Sequence, residues 1–419
     1  MAFLFLNIMK ENKKLNQWLW RWHFIAGIIT LPFVLLLAIT GGIYLFKDNV
    51  ETPIRNEFKQ IENSTEVKAS FQNQLEIVTE KLGKKPDGLI IPNTKNETTE
   101  FVSGRFSHKK SIYINPYTKE VKGDFSPKDT WMYTVRKLHG ELLGGKFGTK
   151  IIELVASWMV VLILTGIYIF WPKGNNLSHL IRVRFNKGKH VLFKDLHSVI
   201  GFWISLLLLL TLAGGFPWTD VVGSNFKTLQ KVTNTGFPKE WFGRGFKSEI
   251  KGAPLKLDQM LLIAKNQNLD GEVTLTFPKH KKGVFSIANK TFPLANQQKI
   301  HFDQYSGKIV KALNWSDVGI LMRGRMWVMA FHQGEFGTWN FIVMLFVATL
   351  LAFISIAGLL SYINRKKPGS WSIPQTPKSF KVGYGVLALI VLLGLLFPLF
   401  GISVLLIIIG TFIKTRLSK

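Results

Sequence analysis

The chain has 419 residues, 47% of them apolar, with 53 Lys and Arg against 26 Asp and Glu, a net charge of +27 and no cysteine. The missing thiols exclude disulfides, Cys-ligated zinc and iron–sulfur clusters held by this chain. The apolar residues gather into blocks long enough to cross a bilayer. The positive excess therefore reads as membrane orientation and attraction to anionic lipid, and no basic groove or recognition fold for nucleic acid is visible.

In chain order, residues 1–46 hold a basic lead (Lys10, Lys13, Lys14, Arg21) and a first membrane helix over about 22–46. About 20 apolar residues at 1.5 Å each suffice for a hydrocarbon core of about 30 Å. The segment is too long for a cleaved signal peptide and no small-x-small site follows, so it reads as a signal anchor; Met1 and Met9 are both candidate starts. His23 sits one turn inside it, Gly27 lies four residues on, and Thr40-Gly41-Gly42 closes the far end.

Residues 47–149 read as a small α+β module, with a helical pattern at Gln74–Leu82 and a hairpin over Ser111–Val121 that turns at Asn115-Pro116. It ends in Leu138-His139-Gly140-Glu141. A second membrane helix, 150–171, carries Thr165-Gly166 and the acid Glu153, which is either functional or snorkelling to the interface. A short basic loop, 172–190, contains Lys173, Arg182, Arg184, Lys187 and Lys189.

The third membrane helix, 191–217, repeats the first: His197, Gly201 and then Ala213-Gly214-Gly215. A second module, 218–337, has a helical pattern at Leu257–Lys265. Strands follow at Glu272–Phe277, Gly283–Ile287 and Lys299–Val310, and the module ends in His332-Gln333-Gly334-Glu335. The fourth helix, 338–362, carries Ala357-Gly358, and the loop 363–382 is basic at Arg365, Lys366, Lys367, Lys378 and Lys381. The last stretch, 383–419, is an apolar run broken at Pro398 and Gly401 with a tail of Lys414, Arg416 and Lys419. A hairpin there gives six spans and puts every short basic loop on one side, the cytoplasm, with both termini.

The fold class expected is thus a polytopic α-helical membrane protein. Four core helices form a two-fold parallel repeat about the membrane normal, a helical hairpin follows, and two small modules lie outside. Topology also restricts the histidines. His23 and His139 fall at opposite faces of the bilayer, whereas His23/His197 and His139/His332 share a side. Two facing imidazoles suit bis-histidine ligation of a b-type haem, one haem per side, with Gly27 and Gly201 leaving room for a flat macrocycle.

Arg21 on the inner side, and Arg136, Lys137, Arg323 or Arg325 on the outer, are candidates to meet the propionates. Glu141 and Glu335 are either acceptors for the second ring N–H of a ligating histidine or helix N-terminal carboxylates. Zinc suits the pattern less, since each side offers two ligands where a structural site wants four. His108, His179, His190, His280 and His301 read as solvated or structural, and the interior Gly steps read as close helix packing. No P-loop, dinucleotide fingerprint, Ser–His–Asp or His-Glu-x-x-His pattern is present.

Over about residues 15–365 the chain resembles the PepSY-associated transmembrane family of bacterial iron-regulated inner-membrane proteins. Trp22-His23-Phe24-Ile25-Ala26-Gly27, Leu138-His139-Gly140-Glu141, Asp195-Leu196-His197-Ser198-Val199-Ile200-Gly201 and His332-Gln333-Gly334-Glu335 carry the likeness. Tyr113–Thr118 and Phe302–Gly307 look like the hairpins of its PepSY modules. The resemblance implies periplasmic modules, haem b and the activity of some members, reduction of a periplasmic ferric siderophore to release Fe(II) for uptake. No flavin-reductase domain is fused at the C-terminus, which leaves the donor open between a cytoplasmic reductase and a quinol. Two other classes stay open at this point, a haem-free peptide-binding or protease-regulating protein and a transporter component.

Overall fold

The computed structural model describes residues 13–62, 67–105, 108–172 and 177–417; Met1, Met9, Lys10, Lys173 and Lys419 lie outside the described residues. The chain begins with helices α1 (Lys13–Tyr44), α2 (Lys47–Lys59) and α3 (Phe71–Leu82), then strands β1 (Gly88–Ile90), β2 (Thr99–Ser103), β3 (Lys110–Ile114) and β4 (Val121–Phe125). Helices α4 (Trp131–Glu141), α5 (Gly145–Phe170), α6 (Lys189–Gly215), α7 (Val221–Val232) and α8 (Leu257–Lys265) follow. Strands β5 (Glu272–Thr276), β6 (Val284–Lys290), β7 (Gln298–Asp303) and β8 (Ile309–Asn314) lead to α9 (Ile320–His332), α10 (Thr338–Arg365), α11 (Tyr384–Leu396) and α12 (Pro398–Leu417). Two compact units result: one gathers the chain up to Leu45, Arg136–Lys227 and the chain from Val328, the other Phe46–Val135 and Thr228–Trp327.

In the first unit α1, α5, α6 and α10 close a ring in that order, so α1 and α6 stand on opposite corners. Ile163, Ile204, Leu208, Val347 and Ile354 fill one layer of the interior, and Val34, Val155 and Met159 another. Large apolar side chains such as Ile29, Leu206, Ile342 and Phe346 point outward. That pattern belongs to helices whose solvent is hydrocarbon rather than water. Within such helices a hydroxyl has no water to turn to, and it bonds back to its own helix: Thr40 to the Leu36 carbonyl at 2.6 Å, Thr165 to Val161 at 2.7 Å, Thr211 to Leu207 at 2.8 Å.

Where the sequence leads one to expect six spans, five helices among the described residues have the length and apolarity to cross a membrane. The other, α11, has 13 residues, about 20 Å against a core of about 30 Å. The break falls at Phe397, ahead of a proline that disfavours helical backbone in the residue before it. Beyond it the chain turns back, so that a Cβ on Gly401 would lie 3.0 Å from the Gly394 carbonyl oxygen. The run 384–417 is therefore a hairpin. It is anchored to α5 by Trp158, whose indole N–H donates to Ser403 Oγ at 3.2 Å and whose ring meets Phe400 edge-on at 4.9 Å.

The second unit is built on one antiparallel sheet of eight strands in the order β4-β3-β2-β1-β5-β6-β7-β8. The sequence divides these strands between two modules; the structure joins them at the β1–β5 pair, where Gly88 faces Thr276 and Leu89 faces Leu275. Four strands alone would leave that inner edge unpaired. Alternate residues put Leu89, Phe101, Ile112, Ile114, Leu275, Ile287, Ile300 and Phe302 on one face, under α3 and α8. A second tie crosses the seam: Asp258 of α8 accepts from the N–H groups of Phe71 (2.7 Å) and Gln72 (3.1 Å), capping α3. The two hairpins turn as their sequences indicate, with Asn115 accepting from Tyr117 N–H at 2.9 Å and Asp303 from Tyr305 N–H at 2.9 Å.

Two outcomes follow from this packing. A Cβ at Gly88 would sit 2.2 Å from the Leu275 carbonyl oxygen, so Gly88→Val forces the seam apart, costs about 1–3 kcal/mol and speeds hydrogen exchange at the β1 and β5 amides. His301 is fully buried, with Nδ1 2.7 Å from Ser286 Oγ. Burial first, and the Lys299 ammonium second, hold its imidazole down at about 4. The unfolded ring takes up its proton near 6.5. The sheet is therefore fully stabilised above about pH 6.5 and loses stability as pH falls towards 4. Thermal melts of the intact chain across that window should show the loss, and His301→Gln should flatten it.

Candidate functional site

The histidine motifs read from the sequence converge inside the helical unit. Near the starts of α1 and α6, His23 and His197 face each other across the ring with ring centres 6.2 Å apart and planes at 81°. At the ends of α4 and α9, His139 and His332 meet with centres 6.2 Å apart and planes at 60°. A metal–Nε2 bond of about 2.0 Å, with the ring centre about 1.1 Å behind the nitrogen, sets two imidazoles on one metal about 6.2 Å apart. Both pairs have that spacing.

The tautomer of each ring follows from its neighbours. His197 Nδ1 lies 2.8 Å from the Ile354 carbonyl and His332 Nδ1 2.8 Å from the Thr211 carbonyl. A carbonyl only accepts, so Nδ1 carries the proton and Nε2 keeps its lone pair. His23 Nδ1 lies 2.9 Å from Thr165 Oγ1, and His139 Nδ1 3.0 Å from Thr40 Oγ1. Each of those hydroxyls gives its single proton to its own helix, as described above, so it accepts from the ring. The carbonyls of Leu162 and Leu37 lie beside these two rings as further acceptors. All four histidines thus present an Nε2 lone pair, the form that ligates a metal.

The glycines explain how a ring reaches a carbonyl already bonded within its helix. Leu162, Ile354, Leu37 and Thr211 each stand four residues before a glycine: Gly166, Gly358, Gly41 and Gly215. A side chain at i+4 covers the carbonyl of residue i on the same face. Cβ atoms at Gly166, Gly358 and Gly41 would fall 3.2, 3.0 and 3.0 Å from atoms of His23, His197 and His139, and one at Gly214 2.6 Å from His332 Cβ. The helix-packing role read from sequence holds for Gly42, which faces Ala348, and for Gly214, whose Cβ would also fall 2.6 Å from the Val328 carbonyl oxygen of α9, while Gly166, Gly358 and Gly41 seat imidazoles.

Between His23 and His197 lies a cavity of about 610 Å³, within the range of small-molecule and cofactor sites. Gly27 and Gly201 line it, with Leu162 and Ile354 side chains 3.9 and 3.8 Å from where their Cβ atoms would be. Arg21 does not line it; its guanidinium donates to the Pro374 carbonyl. Arg21 precedes His23 by two residues, about 200° around the helix, on the other face. His179 and His190, read from sequence as solvated or structural, do line the cavity. For His190 a signal was present, since it precedes His197 by seven residues and shares its face.

On the other side Arg136 pairs with Glu141 at 3.9 Å and Lys137 bonds the same carboxylate. The Nδ1 partners are Thr and main-chain oxygens rather than the Glu141 carboxylate, which is held by Arg136 and Lys137. The Glu335 N–H closes the end of α9 on the Ala330 carbonyl at 2.9 Å. Arg325 lies on α9 seven residues before His332, and Arg323 nine before it. Glu153 does not snorkel. It is fully buried and accepts from the N–H groups of Val221 (2.8 Å) and Val222 (3.1 Å), capping α7.

Among the described residues no group of three or more His, Asp or Glu converges on a metal position. The donor set is two imidazoles per side, which suits a metal whose other ligands come from a macrocycle. The family model described as the PepSY-associated TM region matches residues 20–365. No curated protein matches the chain.

The tautomer argument is testable without any ligand. In ¹⁵N spectra of the histidine-labelled protein, all four rings should report a protonated Nδ1 and a bare Nε2. Thr165→Val should disturb His23 alone, and Thr165→Ser should restore it.

Proposed function

The chain belongs to the PepSY-associated TM family, and from that premise we propose a haem-carrying inner-membrane oxidoreductase that reduces ferric siderophore in the periplasm. One observation carries the reading: two histidine pairs, each at 6.2 Å, each ring with Nδ1 spent on a helix oxygen. Bound between the rings, haem b supplies one-electron transfer at each leaflet, at a potential set by ligand basicity and burial. Ferric iron held by hard oxygen chelators is released once reduced.

The chain's own part is to fix the imidazoles and keep water out. The Nδ1–H bonds hold each ring against rotation and strengthen Nε2 as a donor. Apolar residues such as Val34, Met159, Leu208 and Leu351 line the inner cavity. The orientation has its own support. Lys13, Lys14 and Arg21 at the start of α1, Lys187 and Lys189 at the start of α6, and Arg365 at the end of α10 share one end of the bundle. The positive-inside tendency makes that end cytoplasmic, with both termini, and puts the sheet-bearing stretches in the periplasm. The matching order of motifs and the strand order, which reads the same outward from β1 and β5, support an internal duplication. The donor is then a cytoplasmic reductase or a quinol.

Full-length protein purified in detergent should show a b-type spectrum with two haems per chain by pyridine haemochrome. His23→Ala and His332→Ala should each lower the count to about one, and the dithionite-reduced protein should be reoxidised by ferric siderophore. Protein that stays colourless after incubation with haem would sink the proposal.

A further inference from the structure

We infer that the cytoplasmic-side end of the inner cavity is a carboxylate clamp. Lys194 and Arg365, flanked by His190 and His179, take the carboxylates of a flat amphipathic ligand whose apolar body lies between His23 and His197. The inference rests on the haem reading and deepens it by assigning the edge of the macrocycle that faces outward.

The cavity is polarised along the bundle axis. At one end its lining comes from helix termini: His190 and Lys194 from the start of α6, Arg365 from the last residue of α10, and His179 from the turn that precedes α6. Deeper, the lining is Val34, Met159, Leu208 and Leu351 from the middles of four helices. A ligand filling it must carry its charge at one edge, and that charge must be negative.

The acid among the lining residues does not spoil the sign. Asp195 is buried and already bidentate to Arg184, with Nε to Oδ2 and Nη2 to Oδ1 both at 2.8 Å and the Arg184 N–H adding a third bond at 3.1 Å. What it leaves at the rim is net positive.

Helix geometry selects these residues over Arg21. Lys194 stands three residues before His197 and His190 seven before it, so both lie on the face that carries the imidazole. Arg365 stands seven after Gly358, on the face that seats His197. Arg365 is also held in place, its guanidinium 5.2 Å from the Trp20 ring centre and 5.4 Å from that of Phe24, with Nη2 donating to the Ser372 carbonyl at 3.2 Å. A guanidinium has five N–H donors, and this one bond leaves others for a carboxylate. Arg21, two residues from His23, is turned to Pro374 instead.

The test compares haem with its dimethyl ester, which keeps the iron and the macrocycle but has no carboxylates. Uptake is followed by the bis-histidine absorption spectrum in the full-length His332→Ala protein, so that the inner pair alone reports. The free acid should bind about tenfold more tightly than the ester, the difference a charge-assisted pair makes. Lys194→Gln, and Lys194→Gln with Arg365→Gln, should progressively remove the preference while the spectrum of the bound form is unchanged. Arg21→Gln should keep the preference in full. Equal affinity for acid and ester, or a preference that survives in the double variant, overturns the clamp. A protein that takes up neither compound overturns the clamp together with the haem reading beneath it.

Discussion

An imidazole inside an apolar helix bundle has two nitrogens, and only one of them can be left bare. The other carries a proton that must be given to an acceptor, because water is absent and an unpaired donor there costs several kcal/mol. In this chain the acceptors are oxygens of neighbouring helices: carbonyls of Ile354 and Thr211, hydroxyls of Thr165 and Thr40. The neighbouring helices accommodate that exchange. A helical carbonyl already serves the N–H four residues on, and a side chain at that residue, on the same face, crowds a ring approaching from the next helix. Glycine at that position removes the obstruction.

This arrangement links sequence to chemistry through register. The ring of four helices places α1 diagonally opposite α6, so the two histidines near their starts meet across the interior rather than along a shared seam. Each imidazole then leans on an adjacent helix, His23 on α5 and His197 on α10. A slide of one helix by a single residue would turn the acceptor away from the ring and bring a side chain in its place. The bundle is therefore constrained at both ends by hydrogen bonds in addition to packing, which matters where lipid competes on equal terms for apolar surface.

The sheet-bearing unit obeys a different constraint, the need to leave no inner edge unpaired. Its two four-stranded halves pair through β1 and β5, where Gly88 allows backbones to approach that any side chain would hold apart. Asp258, contributed by the second half, caps a helix of the first. Polar groups on the face away from α3 and α8, such as Ser286 with His301, are buried in hydrogen-bonded pairs.

How much of this could be read in advance depends on the distance over which each feature is specified. The apolar blocks, the Pro398 break, the Asx turns at Asn115 and Asp303, and the helix at Leu257–Lys265 are local, and residue type and period were enough to find them. The matching contexts of His23 and His197, and of His139 and His332, together with the side of the membrane each falls on, were enough to say which rings should meet. Arg21 was misjudged because nearness in sequence is not nearness in space; two residues along a helix is the opposite face. The acceptors at Thr165, Ile354, Thr40 and Thr211, the glycines that expose them, the role of Glu153 as a cap for α7 and the union of eight strands into one sheet were invisible to the sequence alone. Each is a contact between segments tens to hundreds of residues apart, and its existence depends on relative rotation and shift of whole elements. No local periodicity records that quantity; it is fixed only when the helices and strands have packed.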